Sequence, residues 1–282
     1  MVFVMTQHSY ENPELYKQNN ALQYNFAMKF LSKIVFDPNA RVLDVGCGDG
    51  LITSEIAKIV SDGNILGTDI SHKMIADAST SYSEYENLRF IQYDAEKIPF
   101  RDQFDLVVSF NCLHWVKDQK EALKRILNAA IPNGKIALLF SHKKSVYHNV
   151  IDSICSSEKW AQYFSSYSSP RQYAPKEYYK DLLNELGLDI SEIQESKMVY
   201  KFESKGGLKG FFRSAGAQIK MIPDALKLEF LDDFANAYIK VVSEDDDGTI
   251  PLYFWCLEIV GTKPEKKPIN AKQNSATLSV KL

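Results

Sequence analysis

The chain has 282 residues, 45% hydrophobic and 24% charged, with a formal net charge of −3. That length and balance suit a folded protein of one elaborated domain or two small ones. The lack of a basic excess argues against a general nucleic-acid binder. The cysteines Cys47, Cys112, Cys155 and Cys256 are far apart and form no CxxC pair, which predicts reduced thiols and neither a disulfide framework nor a metal site.

The apolar start Met1–Met5 is very short, lacks a basic n-region and is followed by Gln7-His8, so it does not read as a secretion signal. No apolar run approaches a membrane span. The expected location is cytoplasmic, although a bacterial protein delivered into a host would carry the same pattern. From about Pro13 to Phe36, Leu15, Tyr16, Leu22, Phe26, Phe30 and Leu31 recur among polar residues, as one or two amphipathic helices. Tyr16 and Gln23 are spaced to share a face of such a helix. Read on spacing alone, Tyr16 packs and Gln23 is solvated.

Arg41-Val-Leu-Asp-Val-Gly-Cys-Gly-Asp-Gly50 organises the next hundred or so residues. A short apolar strand runs through Asp44 into glycines at 46, 48 and 50, then into a helix whose apolar positions are 51, 52, 56, 59 and 60. Glycine lets the backbone turn sharply and lets a ligand lie against the main chain, and the helix start offers unpaired N–H groups beside it. A second strand, 64–69, ends in Asp69. It stands about 20 residues beyond the glycines, where an acid at the end of strand two meets a nucleotide ribose. The structural alternative is that Asp69 or Ser71 caps the next helix, 71–81. Strand 88–94 ends in Asp94. The apolar strand 104–111 leads into Cys112-Leu-His-Trp-Val116, helix 120–130 comes next, Pro132-Asn-Gly134 turns the chain, and strand 135–140 closes the series. Alternating strands and helices predict a mostly parallel sheet with right-handed crossovers.

After Ser141 the rhythm changes to aromatic-rich helical patterns at 146–160 and 175–186, joined by a Ser-rich linker. A strand at 188–200, a helix at 208–215, an amphipathic helix at 223–242 and a last strand at 252–260 complete the folded part. The Lys-, Asn- and Pro-containing tail from Lys263 reads as disordered.

A dinucleotide fingerprint is GxGxxG, but here Leu51 stands at its third glycine position, and no GK[ST] comes after to make a phosphate loop. Val42-Leu-Asp-Val-Gly-Cys-Gly-Asp-Gly50, Asp69, Asp94-Ala95 and Phe104-Asp-Leu-Val-Val-Ser109 instead resemble the successive motifs of class I S-adenosylmethionine-dependent methyltransferases. The resemblance covers residues 37–142 and extends to the final strand. It implies a Rossmann-like α/β fold with a mostly parallel seven-stranded sheet, an antiparallel last strand and a helical cap. The organisation it implies is an N-terminal helical segment over the cofactor (1–36), the S-adenosylmethionine-binding core (37–142), a cap with the last strands (143–262) and the tail (263–282).

The resemblance also implies roles. Gly46, Cys47 and Gly48 would carry the methionine part of S-adenosylmethionine, and Asp44 would orient the turn. Asp69 would take the ribose hydroxyls, and Ile70 and Met74 would wall the adenine. Asp94 and Ala95 would hydrogen-bond the adenine ring, and Asn111 would lie near the methionine end. For Met74, plain helix-to-sheet packing is an equal reading. Ser109-Phe-Asn-Cys-Leu-His-Trp-Val116 is similar to the corresponding segment of insect juvenile hormone acid methyltransferases. It is more loosely similar to those of trans-aconitate methyltransferases and the malonyl-carrier-protein methyltransferase of biotin synthesis. In these families a Tyr and a Gln precede strand one, as Tyr16 and Gln23 do here, and the methyl acceptor is a carboxylate.

The expected enzyme therefore methylates a small molecule, most simply an acidic or apolar carboxylate, as a monomer or homodimer, without nucleic acid as partner. N- or C-methylation, or cofactor binding without turnover, are the alternatives. Trp115 would form an apolar wall over the reacting groups, and His114 would donate a hydrogen bond, act as a base or simply pack in the turn. His142, Arg171 and Arg213 read first as surface charges, and each could meet an acidic acceptor. The aromatics Tyr147, Trp160, Tyr163, Phe164, Tyr167, Tyr173, Phe211 and Phe212 form either an apolar lid or the core of the cap.

Overall fold

The structure, a computed structural model, describes residues 12–243, 245 and 247–265. The Met1–Met5 stretch and the tail beyond Glu265 lie outside them. Two N-terminal helices come first, α1 (Pro13–Lys17) and α2 (Ala21–Leu31). The core then alternates: β1 (Arg41–Val45), α3 (Leu51–Ile59), β2 (Asn64–Asp69), α4 (His72–Ser81), β3 (Leu88–Gln92), β4 (Phe104–Phe110), α5 (Gln119–Ala129) and β5 (Ala130–Lys143). A 3-10 turn, Leu113–Trp115, sits at the exit of β4. The second half adds α6 (Val146–Cys155), α7 (Ala161–Phe164), α8 (Lys176–Glu185), β6 (Asp189–Phe202), α9 (Lys205–Ala215), α10 (Lys227–Val242) and β7 (Ile250–Thr262).

The strands form one sheet in the order β3-β2-β1-β4-β5-β7-β6. Pairings from β3 through β5 are parallel, and β7 runs antiparallel to both of its neighbours. Period-two alternation divides the core between the two faces of the sheet. Val42, Leu106 and Val108 pack on the side of α2, α3, α6, α9 and α10, whereas Leu43, Val45 and Val107 pack on the side of α5 and α8. The strand order reverses between β1 and β4, and the crevice at their carboxyl ends is the usual ligand position in open α/β sheets.

Several boundaries differ from the sequence expectation. The turn expected at Pro132-Asn133-Gly134 lies inside β5 as an irregularity: Ala130 pairs with Phe104, and pairing resumes at Lys135 opposite Leu106. Asn133 there has φ 63°, a left-handed conformation that Asn tolerates. The helix expected to reach Trp160 stops at Cys155. Trp160 instead precedes α7, buried, with its indole N–H donating to Asp233 at 2.9 Å. Tyr16 and Gln23 fall on two helices, α1 and α2, separated by Gln18–Asn20.

Of the cap aromatics, Tyr147, Trp160, Phe211 and Phe212 are buried, and Tyr163 and Phe164 pack against the same core. Phe212 stacks on Phe234 with centroids 4.5 Å apart. No described helix is long and apolar enough to cross a membrane.

Candidate active site and cofactor crevice

The glycine turn after β1 is built from backbone contacts. The N–H groups of Gly46 and Cys47 both donate to the carbonyl of Thr68 at the end of β2, at 2.7 and 2.9 Å. Gly48 donates its N–H to an Asp69 carboxylate oxygen at 3.0 Å, and Ser71 N–H donates to the other at 2.8 Å. Gly46 and Gly48 have φ of 82° and 57°, a region other residues rarely adopt. A Cβ at Gly46 would lie 2.3 Å from Cys112 Sγ, so β1 and β4 approach there without room for a side chain. A Cβ at Gly48 would meet nothing closer than a Tyr16 ring carbon at 4.0 Å, and so would project into open space.

That space belongs to a cavity of about 890 Å³ including its open mouth, within the size range of small-molecule sites. Of the residues singled out in the sequence, it brings together Tyr16, Gln23, Gly46, Gly48, Asp69, Ile70, Asn111, His114 and Trp115. A smaller hollow continues past Asp69 and Ile70 and is lined by Tyr93, Ala95, Trp115 and Val116. Gly46, Asp69, Ile70, Cys112 and Trp115 border both spaces. Asp69 thus stands at the junction of the two.

Asp44, Cys47, Met74 and Asp94 line neither space. Met74 is fully buried on the inner side of α4. The Cys47 thiol is buried too, and that burial drives its pKa well above the ordinary value. Asp94 accepts the N–H of Glu96 at 3.0 Å and pairs with Lys97 at 3.1 Å. Asp44 is buried and accepts from the Thr53 hydroxyl at 2.8 Å, tying β1 to α3; its other oxygen has no partner. Burial pushes its pKa up to about 7, with the Thr53 hydrogen bond opposing and the nearby charge of Asp69 adding. Burial also raises Asp69, against the hydrogen bonds from Ser71, Gly48 and Ile70.

Gln23 Oε1, an acceptor, and Asn111 Nδ2, a donor, are buried in the cavity wall without partners. Asn111 also has φ 55° at the exit of β4, and left-handed non-glycine residues often mark ligand sites. His114 is buried and accepts the Ser141 N–H at Nδ1, 3.3 Å. In the neutral ring that leaves the proton on Nε2. Its ring lies against Trp115, with centroids 5.1 Å apart.

The remaining wall carries no motif in the sequence, although Phe211 reads there as lid or core and Arg171 as a surface charge or an acceptor contact. Leu22, Phe26, Phe110, Phe211, Ala215 and Phe254 make it apolar, and Arg171 and His148 make one end polar. Arg171 sits with its guanidinium carbon 4.3 Å from the Trp115 ring centroid, within reach of a cation–π attraction. The other two charged candidates lie elsewhere. The buried His142 ring bonds Glu195 at 2.5 Å, and Arg213 is exposed on α9. A Phe or an Arg more than 50 residues from the glycine turn carries no local pattern that would announce its place in the cavity.

This geometry has known counterparts. The family model described as "Methyltransferase domain" matches residues 43–138. The juvenile hormone acid O-methyltransferase of Drosophila melanogaster is 30% identical over 244 residues, covering 80% of this chain and 82% of that one. A putative methyltransferase of Invertebrate iridescent virus 6 is 26% identical over 92% of this chain and 96% of its own. The trans-aconitate 2-methyltransferase of Delftia acidovorans is 26% identical over 91% and 98%. Among solved structures, a putative methyltransferase from Bacillus halodurans matches in fold with a TM-score of 0.60 at 17% identity, over 86% of this chain and 100% of that one. The chain belongs to the class I S-adenosylmethionine-dependent methyltransferases, with that fold and that cofactor. Within the class it is similar to the group that contains the juvenile hormone acid and trans-aconitate methyltransferases.

The residues present suit S-adenosylmethionine. An orphaned acceptor and an orphaned donor face a cavity next to a glycine turn without side chains, and a carboxylate stands where the two hollows meet.

Two substitutions separate the roles of the glycines. Gly46→Ala puts a Cβ into Cys112 and should lower both the unfolding midpoint and the affinity for S-adenosylhomocysteine. Gly48→Ala bears only the left-handed strain, about 1–2 kcal/mol, yet fills cavity space, so affinity should fall far more than stability. Equal effects of the two on the midpoint would contradict this geometry.

Asp44 gives a pH signature. A carboxyl with a raised folded-state pKa contributes stability that is complete below its unfolded value of about 3.9 and is lost as pH rises through its folded value. Asp44→Asn has no such loss. Its stability relative to the unsubstituted protein should therefore increase between about pH 4 and pH 7, by roughly 1.4 kcal/mol per unit at most, and level off above. Urea titrations across that range would show a flat difference if Asp44 is not so buried.

Proposed function

We propose that the protein transfers the methyl group of S-adenosylmethionine to the carboxylate of a small acid with an apolar body. The observation that carries this reading is Arg171, a cation beside Trp115 in a cavity that Phe26, Phe110, Phe211 and Phe254 also line. A guanidinium is the side chain best shaped for a carboxylate, which it can bind through two parallel hydrogen bonds. The names of the Drosophila and Delftia relatives, an acid O-methyltransferase and an aconitate methyltransferase, are consistent with it.

In this reading Asp69 accepts hydrogen bonds from the ribose hydroxyls. Its oxygens each take one backbone N–H already, and each retains acceptor capacity. Ile70 and Ala95 border the adenine, and Asp94 stands at its rim. Met74 supports that wall from within the core. Gly46, Cys47 and Gly48 supply backbone, Gln23 Oε1 accepts from the cofactor's ammonium and Asn111 Nδ2 donates to its carboxylate. Tyr16 closes over the Gly48 side, and Asp44 acts from behind the turn.

When bound, S-adenosylmethionine supplies a methyl group activated by a positive sulfur. The chain's own part is orientation and dryness. A carboxylic acid is ionised at neutral pH, so no general base is required. Arg171 fixes the carboxylate, and His114 Nε2–H is a second donor for it. Trp115 excludes water from the reacting end, while Phe26, Phe110, Phe211 and Phe254 do so along the apolar body. Orientation of this kind can supply several kcal/mol of the barrier reduction.

Incubation with methyl-labelled S-adenosylmethionine and a panel of acids, amines and phenols tests the reading. Base-labile label on an apolar monocarboxylate such as dodecanoate is expected. Arg171→Met should raise the KM for that acid about 10- to 100-fold, the loss of a charged hydrogen bond of about 1.5–3 kcal/mol, with affinity for S-adenosylhomocysteine unchanged. Label found only on amines, phenols or carbon would assign the protein to N-, O-aryl or C-methylation instead. No turnover despite cofactor binding would leave a binding protein.

A further inference from the structure

Arg171 lies on a strap, residues 165–175, that joins α7 to α8 without helix or strand for most of its length. Contacts from three consecutive residues hold the strap over the active site. The guanidinium covers Trp115. The next residue, Gln172, donates its N–H to the carbonyl of His114 at 2.8 Å. The one after, Tyr173, has its hydroxyl 2.9 Å from His148 Nε2.

His148 is fixed in turn. It occupies the third position of α6 and completes a capping box with Ser145, whose N–H donates to His148 Nδ1 at 2.9 Å. Because Nδ1 accepts, the proton of the neutral ring is on Nε2 and is given to the Tyr173 oxygen. The ring is buried and packed edge-on against Tyr147, Tyr173 and Phe254. Burial, and then the charge of Arg171, hold its pKa well below the ordinary histidine value, so it remains a neutral donor at physiological pH.

We propose that His148 and Tyr173 are positioning residues for the methyl acceptor: the chain Ser145–His148–Tyr173 pins the strap so that Arg171 meets the acceptor carboxylate already in place. A free arginine side chain loses on the order of 2 kcal/mol of rotamer entropy when it is ordered. Stacking on Trp115 and the tether two residues on let the fold bear that loss before the acceptor arrives. The inference rests on the reading of the acceptor as a carboxylate.

The test is a double-substitution cycle read by calorimetry, with dodecanoate titrated into protein saturated with S-adenosylhomocysteine. Tyr173→Phe removes one oxygen and keeps the ring. It should weaken dodecanoate binding about 5- to 20-fold and leave affinity for S-adenosylhomocysteine within twofold. In an Arg171→Met background the same substitution should change dodecanoate affinity less than twofold, because Tyr173 acts through Arg171. Hydrogen exchange at the Gln172 amide should quicken in Tyr173→Phe, with exchange in β4 unchanged. Equal losses in both backgrounds, or no loss from Tyr173→Phe, overturn the proposal while the carboxylate reading stands. If Arg171→Met alone leaves dodecanoate binding intact, or the unsubstituted protein does not bind dodecanoate, the carboxylate reading fails and takes this one with it.

Discussion

Gly48 gives its backbone N–H to Asp69, and with that bond the end of β1 is tied to the end of β2. The same turn presses against β4, where Gly46 leaves no room for a side chain beside Cys112. These two constraints fix the crevice at the point where the sheet's strand order reverses. They also explain why the turn is glycine-rich. One glycine is required by the neighbouring strand and another by open space that a ligand must enter. Hydrogen bonds from the backbone of Ser71, Gly48 and Ile70 offset part of the burial that would otherwise discourage a charge on Asp69, which stands at the junction of two hollows.

In the proposed reading the chemistry divides between a cofactor side and an acceptor side. Residues on the carboxyl edge of β1, β2 and β4, joined by Tyr16 and Gln23 from the N-terminal helices, would form the cofactor side. The acceptor side is assembled from distant pieces: α2, the 3-10 turn at His114–Trp115, the strap at Arg171, α6, α9 and β7. The core aromatics Tyr147, Phe212 and Phe234 fix the helices that carry this second wall. In that reading, Arg171 would select the acceptor by charge, and Phe26, Phe110, Phe211 and Phe254 by apolar contact.

This division also explains what could be read in advance. The α/β class, the parallel strands and the antiparallel last strand were legible from local periodicity, the glycine spacing and the family resemblance. The place of Asp69 beside the glycine turn was legible because the acid and the glycines sit at a fixed separation on neighbouring strands. Tyr16 and Gln23 reached the same cavity, but from two helices rather than one face, because the chain bends at Gln18–Asn20. Arg171 read first as a surface charge and His148 was not singled out at all. Neither has a motif: each acquires its place through packing between elements far apart in sequence. His142 looked as promising as Arg171 by its position at the end of β5, yet its ring turns to Glu195 instead.

The central claim is that Asp69 anchors S-adenosylmethionine at the junction of the two hollows. Calorimetric titration of S-adenosylhomocysteine into the unsubstituted protein and into Asp69→Ala tests it most directly, with circular dichroism to establish that both are folded. The account predicts binding to the former and at least about a tenfold weaker affinity for the latter, the equivalent of one charge-assisted hydrogen bond or more. Unchanged affinity in Asp69→Ala, or no binding by the unsubstituted protein, would contradict it.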